Sequence, residues 1–143
     1  MKNYSEIEML DMRLVAALYK GIKSLRRKES VKITEAGLTF PQFEVLVFVY
    51  HFQPLSVGEI INRTLSTIGN ISFVISNLVK DGFLISVQDK KDKRAKIISL
   101  TEKGEKFMEN FFPVHLDNLD KILSVYTQAE KETLLSLLKK LKD

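Results

Sequence analysis

The sequence predicts a mainly α fold with a small β-hairpin, and three observations predict it. Apolar side chains recur every three or four residues along most of the 143-residue chain, the spacing of amphipathic helices. Ser or Thr residues able to cap a helix stand before several of these periodic runs. Two short runs, Phe83 to Val87 and Lys96 to Leu100, flank one charged turn, the pattern of a single hairpin.

Taken in order, Ile7, Leu10, Leu14, Leu18, Ile22 and Leu25 place one apolar stripe on a long first helix over residues 7–26. The basic, poorly periodic stretch from Arg26 to Lys32 reads as a linker leading to Gly37. Thr39 and Pro41 supply a cap and a first-turn proline for a second helix, Pro41 to about Phe52. Its Phe43 and Val45 to Tyr50 have strand propensity, but the start signal and the length favour a helix buried on most sides. Ser56-Val57-Gly58-Glu59 is a capping box that opens a short third helix ending near Arg63, and Leu65-Ser66-Thr67 is a tight joint to a fourth. In the fourth helix Ile71, Val74, Ile75 and Leu78 form a core face, with Gly69, Asn70, Ser72, Phe73, Ser76, Asn77 and Lys80 around the rest. Asp81-Gly82 ends it, and the hairpin follows. Thr101 caps a fifth helix carrying Phe107, Phe111, Leu119, Ile122 and Leu123, with Pro113 expected to kink or interrupt it. A second capping box, Thr127-Gln128-Ala129-Glu130, opens a sixth helix with Leu134, Leu135, Leu138 and Leu141 on one stripe.

Composition closes off several classes of function. The apolar fraction is 45% and the charged fraction 28%, globular values for one domain, and no stretch approaches the roughly 20 apolar residues of a membrane span. The start MKNYSEIEML carries charges where a secretory signal has its apolar centre, so a cytoplasmic protein with no membrane partner is expected. The absence of cysteine removes thiol sensing, Cys-ligated zinc and Cys nucleophiles together. The two imidazoles, His51 and His115, lie far apart in sequence, so a metal site would need Glu44 or another carboxylate, and neither metal nor other cofactor is expected. There is no Gly-rich phosphate loop, no His-x-Glu and no Ser with a His partner, which argues against an enzyme. The net charge of +4 is only a mild lean towards polyanions.

The order of elements says more than the charge. A short capped helix tightly joined to a second one is the shape that lays a helix into the roughly 12 Å wide major groove of DNA. Asn70 can pair bidentately with adenine, while Thr67, Ser72 and Ser76 can bond bases or phosphates, and Phe73 can meet a thymine methyl or a sugar. The hairpin tip holds Lys90, Lys91, Lys93 and Arg94 against Asp89 and Asp92. An Arg steadied by a neighbouring carboxylate suits the narrow minor groove, where negative potential is enhanced. These features make a winged helix-turn-helix lobe that binds double-stranded DNA. The competing reading is a protein-interaction module on the same scaffold that has lost DNA affinity and uses the aromatic surface around Phe73. The apolar stripes of the first and sixth helices are more than so short a chain can cover alone, which points to a homodimer.

Five segments, in order, resemble the MarR family of bacterial regulators: Leu38-Thr39-x-x-Gln42-x-x-Val45-Leu46; Leu55-Ser56-Val57-x-Glu59-Ile60; Gly69-Asn70-Ile71-Ser72-Phe73-Val74-Ile75-x-x-Leu78-x-x-x-Gly82-Phe83-Leu84; Asp92-Lys93-Arg94; and Leu100-Thr101-Glu102-Lys103-Gly104. The resemblance spans residues 38–104. It implies a homodimer held by helices 1, 5 and 6, with an N-terminal dimerisation helix and linker at 1–36, a DNA-binding lobe at 37–101 and C-terminal dimerisation helices at 102–143. It implies repression at a pseudo-palindromic operator, with Ser66, Thr67, Gly69, Asn70, Ser72 and Phe73 on the groove-facing part of the recognition helix and Asp92 and Arg94 as the wing pair. Two positions that are commonly basic in the family hold Phe73 and Ser86, so affinity is expected to lean on Lys90, Lys91, Lys93 and Lys96. The Gly-Asn-Ile-Ser-Phe-Val-Ile run looks closest to the branch whose members answer to quinones and other aromatic stress compounds. The resemblance implies release by a small aromatic or phenolic ligand, for which Tyr19, Phe43, Phe48, Tyr50, His51, Phe107 and Phe111 are the candidate lining.

Overall fold

The computed structural model describes residues 2–64 and 68–142. Its elements are α1 (Glu6–Glu35), α2 (Phe40–Phe52), β1 (Leu55–Ser56), α3 (Val57–Arg63), α4 (Ile68–Lys80), β2 (Leu84–Gln88), β3 (Lys96–Leu100), α5 (Glu102–Leu123) and α6 (Gln128–Lys139). The fold is mainly α with a small antiparallel sheet, as the periodicities predict.

Three features depart from the sequence reading. The expected linker after Arg26 is helix, so α1 runs to Glu35. Residues 26–35 hold Arg, Lys and Glu, which favour helix, and no Gly or Pro; the wholly buried Ile33 anchors the last turn. The stop comes at Gly37, with φ +85°: its N–H donates to the Thr34 carbonyl at 2.9 Å and the Leu38 N–H to the Ile33 carbonyl at 3.2 Å. Second, the hairpin has a third strand. β1 pairs antiparallel with β3, Leu55 opposite Ile98 and Ser56 opposite Ile97, giving the order β1-β3-β2. Two residues are too few to show a period, so no pattern announces this strand. Third, of the two expected effects of Pro113 an interruption does not occur, since α5 runs from Glu102 to Leu123 through it. The ring removes one N–H, but Met108, Phe111 and His115 are buried on both sides of it and hold the helix in place.

Ser30–His115 forms one compact unit, and the chain before and after it forms another. Among the described residues every buried apolar side chain lies in the first, from Ile33 through Val45, Leu46, Ile60, Ile71, Leu78, Leu84 and Ile98 to Met108 and Phe111. That unit thus begins before residue 37 and continues past residue 101, because the end of α1 and the first half of α5 contribute to its core. In the other unit the Asn118 amide donates to the Lys28 carbonyl at 3.4 Å, while α6 buries no side chain.

Candidate nucleic-acid interface

α2 is the frame of the site. Val45, Leu46 and Val49 are fully buried, and the helix packs against α3, α4 and β3. Its start is fixed by a capping box, Thr39 N–H to Gln42 Oε1 at 2.9 Å and Gln42 N–H to Thr39 Oγ1 at 3.3 Å. Beyond its last turn the Gln53 amide oxygen accepts from the Leu100 N–H at 2.9 Å, and its nitrogen donates to Glu105 Oε2 at 3.2 Å. One side chain therefore ties α2 to the sheet and to α5. The Ser56 and Glu59 capping box opens α3, as the sequence indicates.

α4 packs on α2, α3 and β2 through Ile71, Val74, Ile75 and Leu78. That leaves Asn70, Ser72, Phe73 and Ser76 exposed on the outer side. Gly69 lies in the first turn of α4, whereas Ser66 and Thr67 lie outside the described residues. The helix ends as α1 does: Gly82, at φ +83°, donates to the Val79 carbonyl at 3.1 Å, and the Phe83 N–H to the Leu78 carbonyl at 3.0 Å.

The wing tip is ordered by its own carboxylates. Asp89 Oδ1 accepts the Lys91 N–H at 3.1 Å, and Asp92 Oδ1 accepts the Arg94 N–H at 3.1 Å while standing 3.4 Å from the Arg94 Nε. Two successive Asx turns thus occupy the acidic groups with backbone. The cations point outwards, and the Arg94 side chain is 95% exposed. An ion pair so open adds little stability; what the Asp92 contacts provide is orientation.

The Leu100-Thr101-Glu102-Lys103-Gly104 segment has a mechanical explanation. The Thr101 N–H donates to the Phe83 carbonyl at 3.1 Å, its hydroxyl donates to the Gly82 carbonyl, and the same oxygen accepts the Gly104 N–H at 3.0 Å, capping α5. A Cβ on Gly104 would stand 2.2 Å from the Phe83 oxygen, so only glycine lets α5 approach that carbonyl. Lys103 adds a bond to the Asp81 carbonyl at 2.8 Å with its ammonium 4.6 Å from the centre of the Phe83 ring. The end of α4, the base of the hairpin and the start of α5 are one welded joint, which fixes the wing relative to the recognition helix.

Between α4 and the wing runs a cavity of about 550 Å³. Ser72 and Ser76 line it from α4, Arg94 and Lys96 from the wing, Ser56 from the start of α3 and Ser86 from β2. The structure therefore brings Ser72, Ser76 and Arg94 to one groove, whereas Asn70 and Phe73 are not among its lining, and Lys90, Lys91 and Lys93 stand exposed at the tip. Lys96, on which affinity is expected to lean, joins the groove too, and so do Ser56 and Ser86, which the sequence does not single out as contacts. Strand alternation carried the signal for Ser86, which shares a face with its partner Ile98; Ser56 had been read only as a cap.

The aromatic candidates are distributed differently. Phe107 stacks on Phe111 at 5.5 Å between centroids, and Phe43 meets Phe111 edge-on at 5.3 Å and His115 at 4.6 Å. Phe83 extends this chain at one end, and Phe112, Tyr50 and His51 at the other. Burial pushes the His115 imidazole below its ordinary pKa. Phe48 is half-buried against the core, and Tyr19, in the other unit, is 72% exposed. None of the seven lines the α4–wing cavity or a second cavity of about 620 Å³ formed by Lys2, Tyr4, Met9, Met12 and Arg13 among others. Among the described residues no three His, Asp or Glu side chains group as a metal ion would require, and no helix is long and apolar enough to cross a membrane.

Residues 36–95 match the family model described as MarR family. The HTH-type transcriptional regulator YkoM of Bacillus subtilis (strain 168) is 32% identical over 138 residues, covering 96% of this chain and 89% of that protein. Among solved structures, a mutant MarR from E. coli complexed with operator DNA has a TM-score of 0.86 at 21% identity, over 97% of this chain and 100% of the other. BpsR of Bordetella bronchiseptica, whose DNA binding is regulated by 6-hydroxynicotinic acid, has a TM-score of 0.83 at 21% identity, over 92% and 99%. These two structures establish the likeness of fold. The family model and the 32% identical relative, matched over nearly its whole length, place the chain in the MarR family of DNA-binding transcriptional regulators.

Proposed function

We propose that the chain is a cytoplasmic homodimer that represses transcription by occupying a pseudo-palindromic operator and is released by a small aromatic or phenolic ligand. One observation carries the DNA-binding geometry: the exposed hydroxyls of α4 and the guanidinium of the wing border a single groove, so helix and wing can engage one duplex together. α4 enters the major groove with Gly69, Asn70, Ser72, Phe73 and Ser76, and Ser66 and Thr67, which precede it in sequence, are further contacts. The wing sets Arg94, oriented by Asp92, at the minor groove, with Lys90, Lys91 and Lys93 near phosphates. The likeness to a MarR seated on operator DNA supports this placement.

The dimer is supported by the exposed apolar residues of α1 and α6, including Ile7, Leu10, Leu14, Leu134 and Leu135, which a second copy would cover. In this reading residues 1–36 and 102–143 are the dimerisation arms and 37–101 the DNA-binding lobe. The two recognition helices then address half-sites roughly 34 Å apart. The effector is supported by the regulation of BpsR by an aromatic acid. The candidate lining in the lobe is the aromatic chain Phe43, Phe107 and Phe111 with Tyr50, His51 and Phe48, while Tyr19 is a separate candidate in the other unit. The alternative of an interaction module without DNA affinity leaves the solvent-directed cations of the wing without a role.

The test is enrichment of bound duplexes from a random-sequence pool, followed by titration of the enriched duplex at several salt concentrations. The expected result is a two-fold symmetric site whose affinity falls steeply with salt and drops on Arg94→Ala. Enrichment of no site, or binding indifferent to both salt and Arg94→Ala, would favour the interaction module. Added 6-hydroxynicotinic acid serves as a first probe of release.

A further inference from the structure

Phe73 is 66% exposed at the middle of α4. Ile71 and Ile75 are buried, and at about 100° per residue the Phe73 ring lies nearly opposite them, at the crest of the outward face. Asn70 precedes it by one turn and Ser76 follows by one, both exposed. Among the described residues it belongs to no aromatic pair, unlike the ring chain from Phe83 to His51. A large apolar ring held out in water on an otherwise small, polar helix face costs solvation unless something covers it.

The chemistry of the major groove narrows the cover. Phe has neither donor nor acceptor, so it cannot read the hydrogen-bonding edge of any base, and it has no charge with which to hold a phosphate. The one apolar group that a base edge presents there is the C5-methyl of thymine. Residues three apart on a helix have Cβ atoms roughly 5–6 Å apart. Successive bases rise about 3.4 Å. The side chains of Asn70 and Phe73 therefore reach base pairs within about two steps of each other.

We infer that Phe73 is a specificity-determining residue that packs its ring on a thymine methyl in each half-site, within about two base pairs of the adenine paired by Asn70. This rests on the DNA-binding reading above and deepens it. An apolar ring at this position gives discrimination rather than sequence-independent attraction, because thymine is the one base that presents a methyl in the major groove.

The experiment uses the full-length wild-type protein and the duplex enriched from the random pool. Each thymidine is replaced in turn by deoxyuridine, which removes only the methyl and leaves pairing intact. One position per half-site is expected to lose about fourfold in affinity, and replacing both about fifteenfold. Phe73→Ala is expected to bind the thymidine and deoxyuridine duplexes equally and to enrich a site with that position randomised. If the wild type binds every deoxyuridine duplex as tightly as the parent, or Phe73→Ala keeps the full preference, the inference is wrong while DNA binding stands. If no duplex is enriched, both fail.

Discussion

The unit Ser30–His115 and the segments flanking it are both built mainly of helices with apolar faces, yet they treat those faces in opposite ways. In the first, Leu46, Ile60, Ile71 and Leu78 are wholly shielded from water. In the second, Ile7 is 74% exposed, Leu10 65% and Leu141 76%. A 3.6-residue period shows that a helix has an apolar face; it does not show what covers that face. In the lobe, the short α2–α3 and α4–hairpin connections bring covering elements from the same chain. The flanking helices leave much of their apolar faces exposed, and the proposed second copy of the chain is what would close them.

The sharpest way to break this contrast is to cut the same side chain in both regions. Leu46→Ala should cost about 2–5 kcal/mol in urea unfolding, since it leaves a cavity among Val45, Val49 and their neighbours. Leu135→Ala, at a residue 56% exposed, should cost far less when measured on dilute protein. Comparable losses would mean that the flanking unit carries a core of its own.

Next in size is the dependence on concentration. A dimer joined through α1 and α6 gains about 1.4 kcal/mol of apparent stability for each tenfold rise in protein concentration. The double variant Leu10→Lys with Leu14→Lys, both exposed in the single chain, should abolish that gain and sediment as a monomer while the lobe still unfolds cooperatively. A variant that stays dimeric would remove α1 from the proposed interface.

A third effect belongs to the lobe alone. His115 is buried against Phe43 and Phe112, and burial lowers its pKa below the ordinary value near 6.5. The unfolded chain therefore takes up this proton first as pH falls. Lobe stability should be full above about pH 6.5 and decline below it, by at most about 1.4 kcal/mol per pH unit, levelling off under the depressed folded pKa. His115→Phe should flatten that slope in unfolding curves collected between pH 7 and 5; an unchanged slope would assign it to other groups.

What the sequence disclosed followed a different division, between local signal and tertiary packing. Elements with their own local signal were legible: the capped starts at Thr39, Ser56 and Thr127, and the hairpin from Leu84 to Leu100. The true end of α1 was not, because Ile33 is one apolar residue in a basic stretch and its burial depends on distant partners. β1 was not, because two residues carry no period. For the candidate site, the exposed side of α4 and the Asp92–Arg94 contact could be read from spacing. The groove uniting Ser72, Ser76 and Arg94 with Ser56 and Lys96 could not, since it joins four elements whose packing is tertiary. The reason for Gly104 was hidden for the same cause: its neighbour is the carbonyl of Phe83, twenty-one positions earlier.

The smallest effect separates the regions most finely, because one chemistry occurs in both. Thr39 caps α2 and Thr127 caps α6, each with a reciprocal bond from the residue three positions on. Removing either hydroxyl should cost its helix about 1 kcal/mol. α2 is the hub of the lobe, so for Thr39→Ala the loss should appear undiminished in global unfolding. α6 buries nothing in the single chain, so Thr127→Ala should show in dilute protein as faster amide exchange confined to residues 128–139, with the lobe's unfolding unmoved. The Thr127 bonds also hold the Glu130 carboxyl below its usual range. Their contribution is therefore present above that range and fades as pH falls through the lowered pKa. If Thr127→Ala instead lowers global stability in dilute solution as much as Thr39→Ala does, α6 is part of the lobe's cooperative unit, and the division between a closed core and an arm awaiting its partner does not hold.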